Sequence, residues 1–395
     1  MRFWRIASGI VLFWFLALAA LHFANPRPLW NDEAAVFSSL ETFSASRLFT
    51  SELLASQVFP RVYLWTIQQF SSSWGHALWS LRFFPFISMI MAFLIWAWLA
   101  KKILVSPRLW TLFLLSWTGS TILVYYASEL KQYSLDVLAA AVWILFILEQ
   151  GRIKEALKNH YLLLLGLLPL TALFSHRVLF FLIFPFWQIM ASNKENRSKE
   201  VIVYTAAALV SMALLYHFDL RLSLHSRQDI LNGAYNDYFI SFASPGEFLQ
   251  TFTEGLNNLI GRWFASKPVW VRGFCRIFML VGMAELFLGI KDAWKGRSFK
   301  TLSIHIMAGV VFLELILAGM FKFNYFSIPR TSLFFCPVLF LLTVLGFKRI
   351  ELRLPRWGKI IQILYGMIVL FFSIIVTKMA LFRAVGEDMS RWMRF

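Results

Sequence analysis

Residues 6–23 read IASGIVLFWFLALAALHF, and residues 29–37, shortly after, read LWNDEAAVF. The first stretch contains no Asp, Glu, Lys or Arg. As a helix it is about 27 Å long at a rise of about 1.5 Å per residue, close to the thickness of a hydrocarbon layer. The second stretch brings two adjacent carboxylates, Asp32 and Glu33, to the point where such a helix would leave the membrane. They are either ordinary solvated residues at a helix start or members of a site that needs negative charge.

The whole chain repeats the first pattern. Of its 395 residues 59% are hydrophobic and only 15% are charged, and the mean hydropathy is +0.65, outside the balance of a soluble domain. The sequence therefore predicts an all-α, polytopic integral membrane protein. Eleven transmembrane helices are expected, near 6–23, 80–100, 109–127, 134–149, 160–175, 178–191, 201–216, 274–290, 302–321, 331–346 and 359–378. The first is read as an uncleaved span, because NPRP at 25–28 is not a small-residue cleavage site.

Alternate connections are rich in Lys and Arg, among them KKILVSPR, QGRIKEALKNH, SNKENRSK, KDAWKGRSFK and FKRIELRLPRWGK. By the positive-inside tendency these loops and the N-terminus are cytoplasmic. The net charge of +17 is thus divided among short loops facing lipid headgroups, which argues against a nucleic-acid partner. Two outer segments are longer than simple connections. Residues 24–79 alternate polar and apolar residues at helical spacing, and from Pro60 to Gly75 predict an amphipathic helix at the interface. Residues 217–273 form the second long outer loop, rich in Tyr, Trp and Phe. Residues 1–395 are read as a single transmembrane domain. Cys275 and Cys336 show neither a disulfide framework nor a metal-ligand spacing.

The charges of interest fall on the outer side. Asp32 and Glu33 follow span one, Arg82 opens span two, YYASELKQYSLD lies between spans three and four, SHR between five and six, and FNYFSIPRTS between nine and ten. A transporter places some ionisable groups near the midplane, whereas an enzyme working at one interface gathers them there. The pattern favours an enzyme; a transporter or flippase for a lipid-linked saccharide is the alternative, and a noncatalytic scaffold a third.

On WNDEAAVFSSL, LWSLRFFPFISM, VYYASELKQYSLDVLAA and YFSIPRTSLFFCPVLF, in that order and on one side, the chain resembles the polytopic GT-C-type glycosyltransferases that use polyprenyl-linked sugars. It is similar within them to the protein O-mannosyltransferase and aminoarabinose transferase group. The resemblance implies a membrane hexosyl- or pentosyltransferase of the bacterial inner membrane, with its active site on the periplasmic face. It also implies a polyprenyl-phosphate-linked donor and a lipid, glycan or protein acceptor. Asp32 matches the family's acidic residue that activates the acceptor, Glu33 the adjacent acidic position, and Arg330, Lys131 and Arg82 the basic side chains near the lipid phosphate.

The chemistry needs those types. A carboxylate within hydrogen-bond reach takes the proton of a weakly nucleophilic hydroxyl, and fixed cations stabilise the leaving phosphate. Each residue also has a plainer reading. Asp32 would serve as the N-cap of a helix and Glu33 as a charge at its positive end. Glu129 and Lys131 would form an interfacial salt pair, and Tyr133 would belong to an aromatic belt. His176 and Arg177 stand either in a solvated turn or against substrate, and Arg330 could anchor ordinary phospholipid. No cofactor is predicted; Asp32, Glu33 and Glu129 leave a divalent cation open, and the scattered histidines do not suggest zinc.

Overall fold

The computed structural model describes residues 2–25, 27–191, 197–223, 239–261, 263–264, 269–293, 299–322 and 329–382, and every regular element among them is a helix. Helix α1 (Arg2–Ala24) is followed by three short helices, α2 (Asn31–Thr42), α3 (Ala45–Thr50) and α4 (Arg61–Ser72). Then come α5 (Leu78–Leu104), α6 (Pro107–Gly119), α7 (Thr121–Tyr125), α8 (Tyr133–Ala156), α9 (Tyr161–Leu167), α10 (Ile183–Met190) and α11 (Arg197–Leu215). The chain closes with α12 (Pro245–Gly261), α13 (Val269–Ala293), α14 (Phe299–Met320), α15 (Cys336–Arg353) and α16 (Pro355–Phe382).

Seven described helices are long and apolar enough to cross a membrane, and the pair Pro107–Gly119 and Thr121–Ser128, bent by 61°, would make an eighth. The protein is a multi-pass membrane protein. The count among the described residues falls short of the expected eleven for identifiable reasons. The expected spans 160–175 and 178–191 are the shorter apolar segments Tyr161–Leu173 and His176–Met190. The expected span 274–290 lies within α13, whose side chains are described only in part.

The two short segments nonetheless run between the same two ends of the bundle as their neighbours. Tyr161 accepts a hydrogen bond from Gln150 near the end of α8 (2.8 Å), while Ser175 donates to Asp136 near its start (2.6 Å). Six residues of each segment are 3-10 helix, Leu168–Leu173 in one and His176–Phe181 in the other. That form rises about 2.0 Å per residue instead of 1.5, so the segments cover roughly 22 and 26 Å.

Helix α15 is central, with Cys336 to Phe347 buried on all sides. It meets α13 through small residues. A Cβ on Gly282 would lie 2.4 Å from Thr343 Oγ1, and one on Gly346 2.6 Å from Val281 Cγ1 and 3.1 Å from the Val281 carbonyl. Within a membrane such close backbone approach supplies the packing that a solvent-driven core would supply in water. A second, smaller core holds the first outer segment together. Val36, Leu40, Leu48, Phe59, Leu64 and Ile67 of α2 to α4 pack on Leu81 of α5 and on Leu130. The interfacial helix expected from Pro60 is α4, which buries Arg61, Tyr63, Leu64, Ile67, Gln68 and Ser71 and exposes Trp65.

Charges separate by end. Lys102 and Arg152 pair with Glu149 (3.3 and 3.1 Å), Arg108 with Glu351 (2.6 Å) and Lys154 with Glu200 at the end holding the helix turns 101–108, 150–160 and 349–355. The opposite end carries Asp32, Glu33, Arg82, Glu129 and Arg330.

The α13–α15 contact generates a test. Gly346→Val should lower the thermal midpoint in detergent, equivalent to about 1–3 kcal/mol of overpacking, whereas Gly151→Val, with open space at its Cβ, should cost less. Fluorescence-detected size-exclusion after heating reads both. Equal midpoints for the two variants would contradict the tight seam.

Candidate functional site

The site end is organised around Glu33, which is fully buried. Its carboxylate accepts from Arg27 Nη1 (2.9 Å), Arg82 Nη2 (2.9 Å), Arg82 Nε (3.1 Å) and the amide of Leu130 (2.8 Å). It also reaches back to the amide of Trp30 (3.4 Å), the residue that caps α2 in an extended conformation. Burial opposes ionisation of Glu33, but Arg27 and Arg82 outweigh it and hold the group below the usual carboxylate range. The Arg82 guanidinium has further partners. Besides Glu33 it donates to the carbonyls of Arg27 (2.9 Å) and Pro28 (3.3 Å).

Asp32 is not the cap of α2. Because the chain is already helical from Asn31, Asp32 lies in the first turn and Glu33 reaches back to Trp30 in its place. Successive helix residues diverge by about 100°, so Asp32 points away from the Glu33 knot. Its Oδ2 accepts from Arg330 Nη1 at 2.9 Å, and both side chains are partly exposed, 26% and 17%. Arg330 arrives from the short 3-10 stretch that leads into α15, and its Nε is buried without a hydrogen-bond partner.

The 61° bend after Gly119 places the third group. A Cβ on Gly119 would lie 2.9 Å from the Val369 carbonyl, so the chain turns where α6 is pressed against α16. Ser120 caps α7 and donates to the Trp263 carbonyl (2.8 Å). The turn beyond carries Glu129 and Lys131 under α2. Glu129 is fully buried and accepts the indole N–H of Trp30 through Oε1 (2.6 Å), while Oε2 has no partner. Burial, with the negative Glu33 nearby, pushes Glu129 up to about 8 against the attraction of Arg27. Lys131 is buried and donates to Gln57 Oε1 (2.5 Å). Burial lowers its affinity for the proton despite the nearby Asp32 and Glu129. Tyr133, buried at the start of α8, packs edge-on to Tyr126 with ring centres 4.9 Å apart.

His176 and Arg177 separate onto two further buried carboxylates. His176 lies 3.3 Å from Asp219, which also receives the Arg61 amide (2.9 Å) and its guanidinium (3.6 Å). Arg177 lies 3.7 Å from Asp136 and sits over the Phe334 ring.

All nine residues singled out in the sequence thus fall at one end of the bundle, in three adjoining groups. Glu33 and Arg82 form the buried knot. Asp32 and Arg330, with Lys131 and Glu129 behind them and Tyr133 beside them, form the open pair. His176 and Arg177 form the lateral group. Sequence reasoning missed Arg27, Trp30, Gln57, Arg61, Asp136 and Asp219. Asp136 and Asp219 did carry a signal, as lone acids beside long apolar runs. Among the described residues no three His, Cys, Asp or Glu side chains converge as a metal site would require.

The raised Glu129 has a stability consequence. Unfolded, it ionises near 4.5; folded, only near 8. Its contribution is therefore favourable at low pH and is lost as pH rises through that interval. Glu129→Gln, which does not titrate, should gain thermal stability relative to the wild type between pH 5 and pH 8. A midpoint difference that stays constant across this range would contradict a protonated Glu129.

No protein-family model matches the sequence, and no curated protein matches it. Among solved structures it is similar to ArnT from Cupriavidus metallidurans in the apo state, with a TM-score of 0.53 and 13% sequence identity. The match covers 90% of this chain and 62% of that one, so the chain spans less than two thirds of ArnT. The likeness is one of architecture, that of an all-α membrane protein.

Proposed function

We propose that the protein is a membrane glycosyltransferase that moves a sugar from a polyprenyl-phosphate donor to an acceptor hydroxyl or amine at the outer face of the membrane. The observation that carries this reading is the Asp32–Arg330 pair. One acid and one cation, brought together from opposite ends of the chain, meet at 2.9 Å and stay partly exposed, while Glu33, Arg82, Glu129 and Lys131 around them are buried. The GT-C-like fold, and the resemblance in WNDEAAVFSSL and YFSIPRTSLFF, support the same chemistry.

In this reading a donor phosphate approaching Arg330 competes with Asp32 for the guanidinium. Arg330 then neutralises charge on the phosphate, and Asp32 is released to act as a base. The acceptor oxygen attacks the anomeric carbon, its proton passes to Asp32, and the bond from that carbon to the phosphate oxygen breaks with its electrons going to polyprenyl phosphate. Such a single displacement inverts the anomeric centre. Lys131 adds positive charge from behind, His176 and Arg177 face the acceptor, and Tyr133 stands beside the pair. Glu33, with all its donors in place, acts by holding α2, and Arg82 acts by holding Glu33.

Purified protein in detergent given a polyprenyl-phosphate sugar should release polyprenyl phosphate. Asp32→Asn should slow the chemical step by ~10²–10⁴-fold, and Arg330→Lys should recover only part of what Arg330→Ala loses, since an ammonium does not reproduce a planar guanidinium. Wild-type rates in correctly folded Asp32→Asn would rule out the base. Movement of the saccharide between liposome compartments with no release would establish the carrier alternative.

The basic end is assigned to the cytoplasm and the Asp32 end to the periplasmic side of a bacterial inner membrane, from the Lys and Arg bias of the turns. Cysteines introduced at the exposed Ser73 and Asn159 should react from opposite sides of sealed vesicles, Asn159 from the cytoplasmic one. Labelling of both from one side would overturn this orientation.

A further inference from the structure

Residues 129–131 form a tight turn, in which the amide of Lys131 bonds back to the carbonyl of Glu129 (2.6 Å). Two hydrogen bonds leave this turn for the first turn of α2. Glu129 Oε1 accepts the Trp30 indole N–H at 2.6 Å, and the Leu130 amide donates to Glu33 Oε1 at 2.8 Å. Trp30 and Glu33 stand on either side of Asp32 in sequence, so consecutive residues of one turn hold both flanks of the residue assigned as the base. We propose that Glu129 is a positioning residue for Asp32, fixing the Trp30 side of the clamp while Leu130 fixes the Glu33 side; this rests on the transferase reading above.

The geometry makes the role one of shape rather than charge. Glu129 is fully buried, and a buried carboxyl is costly unless it is bonded or neutral. With its proton affinity raised to about 8, it is uncharged at neutral pH and does not draw Arg330 away from Asp32. Its carbonyl oxygen still accepts the indole N–H in that form. Trp30 is at once the cap of α2 and the residue held, so a shift of its ring moves the start of the helix and the Asp32 carboxylate with it. Misplacement of a reacting group by about 1 Å costs on the order of 10²-fold in rate.

Glu129→Gln keeps a carbonyl acceptor in the same place, Glu129→Leu removes it, and Trp30→Phe removes the donor. In the polyprenyl-phosphate sugar assay, Glu129→Leu should lower kcat by about 10–100-fold with little change in donor KM, and Glu129→Gln should stay near the wild type. Trp30→Phe should match Glu129→Leu, and the double variant should be no worse than either, because both break one contact. Equal impairment by Gln and Leu, or effects that multiply in the double variant, would overturn the proposal. A readout independent of turnover is the indole ¹⁵N–H resonance of Trp30, assigned by its loss in Trp30→Phe. It should move in Glu129→Leu and hold in Glu129→Gln; an unmoved resonance in Glu129→Leu overturns the clamp. An inactive wild type whose resonance behaves as expected keeps the clamp and overturns the transferase reading alone.

Discussion

A carboxylate with no access to water, held by two arginines and a backbone amide, is the constraint on which the outer end of this protein depends. Glu33 joins three separate pieces of chain: the exit from α1 through Arg27, the start of α5 through Arg82, and the turn before α8 through Leu130. Such a knot adds little net stability over an apolar equivalent, but removing one partner strands a buried charge and costs about 3–5 kcal/mol. Its value is specificity of arrangement. No apolar contact would fix the register of α2 against α5 and the 129–131 turn as sharply as a bidentate guanidinium and an amide aimed at one carboxylate.

The two adjacent acids in NDE have opposite fates because a helix begins at Asn31. The turn angle sends Glu33 inward to the knot and Asp32 outward to Arg330. A buried, saturated carboxylate anchors, and its exposed neighbour, held by one movable guanidinium, retains chemical freedom. The same division recurs nearby, where Asp136 and Asp219 are buried while the His176 and Arg177 they hold remain partly open.

Much of this was legible in the sequence, and the limits have physical causes. Hydropathy located the long helices because a span must be apolar for about 20 residues, and the Lys and Arg bias separated the two ends. It did not separate full-length α-helical spans from the shorter apolar segments, because apolar patterning does not distinguish an α-helix from a segment that stretches into 3-10 form, as Leu168–Leu173 and His176–Phe181 do. Charge type marked Asp32, Glu129 and Arg330 as unusual, yet pairing depends on separations of up to 298 positions, which a linear reading does not rank. Trp30 escaped notice because an aromatic at a membrane exit reads as a belt residue until its N–H is seen to end on Glu129. Arg61 escaped because it opens an amphipathic helix, where a cation looks solvated.

The two short apolar segments bear on the surrounding lipid. Tyr161–Leu173 and His176–Met190 expose Leu163, Leu167, Ile183 and Trp187 on their outer surfaces, yet span only roughly 22–26 Å, less than the hydrocarbon thickness of about 30 Å. Hydrophobic mismatch of this size is relieved by local thinning of the bilayer. On that flank a bilayer that matches these segments would bring its surface nearer the midplane beside His176 and Arg177. A headgroup arriving there travels a shorter vertical distance to the protein's polar end than one arriving along α1 or α16. The small number of residues in these two segments, only partly offset by their 3-10 turns, thus makes one side of the protein the easier approach for a lipid.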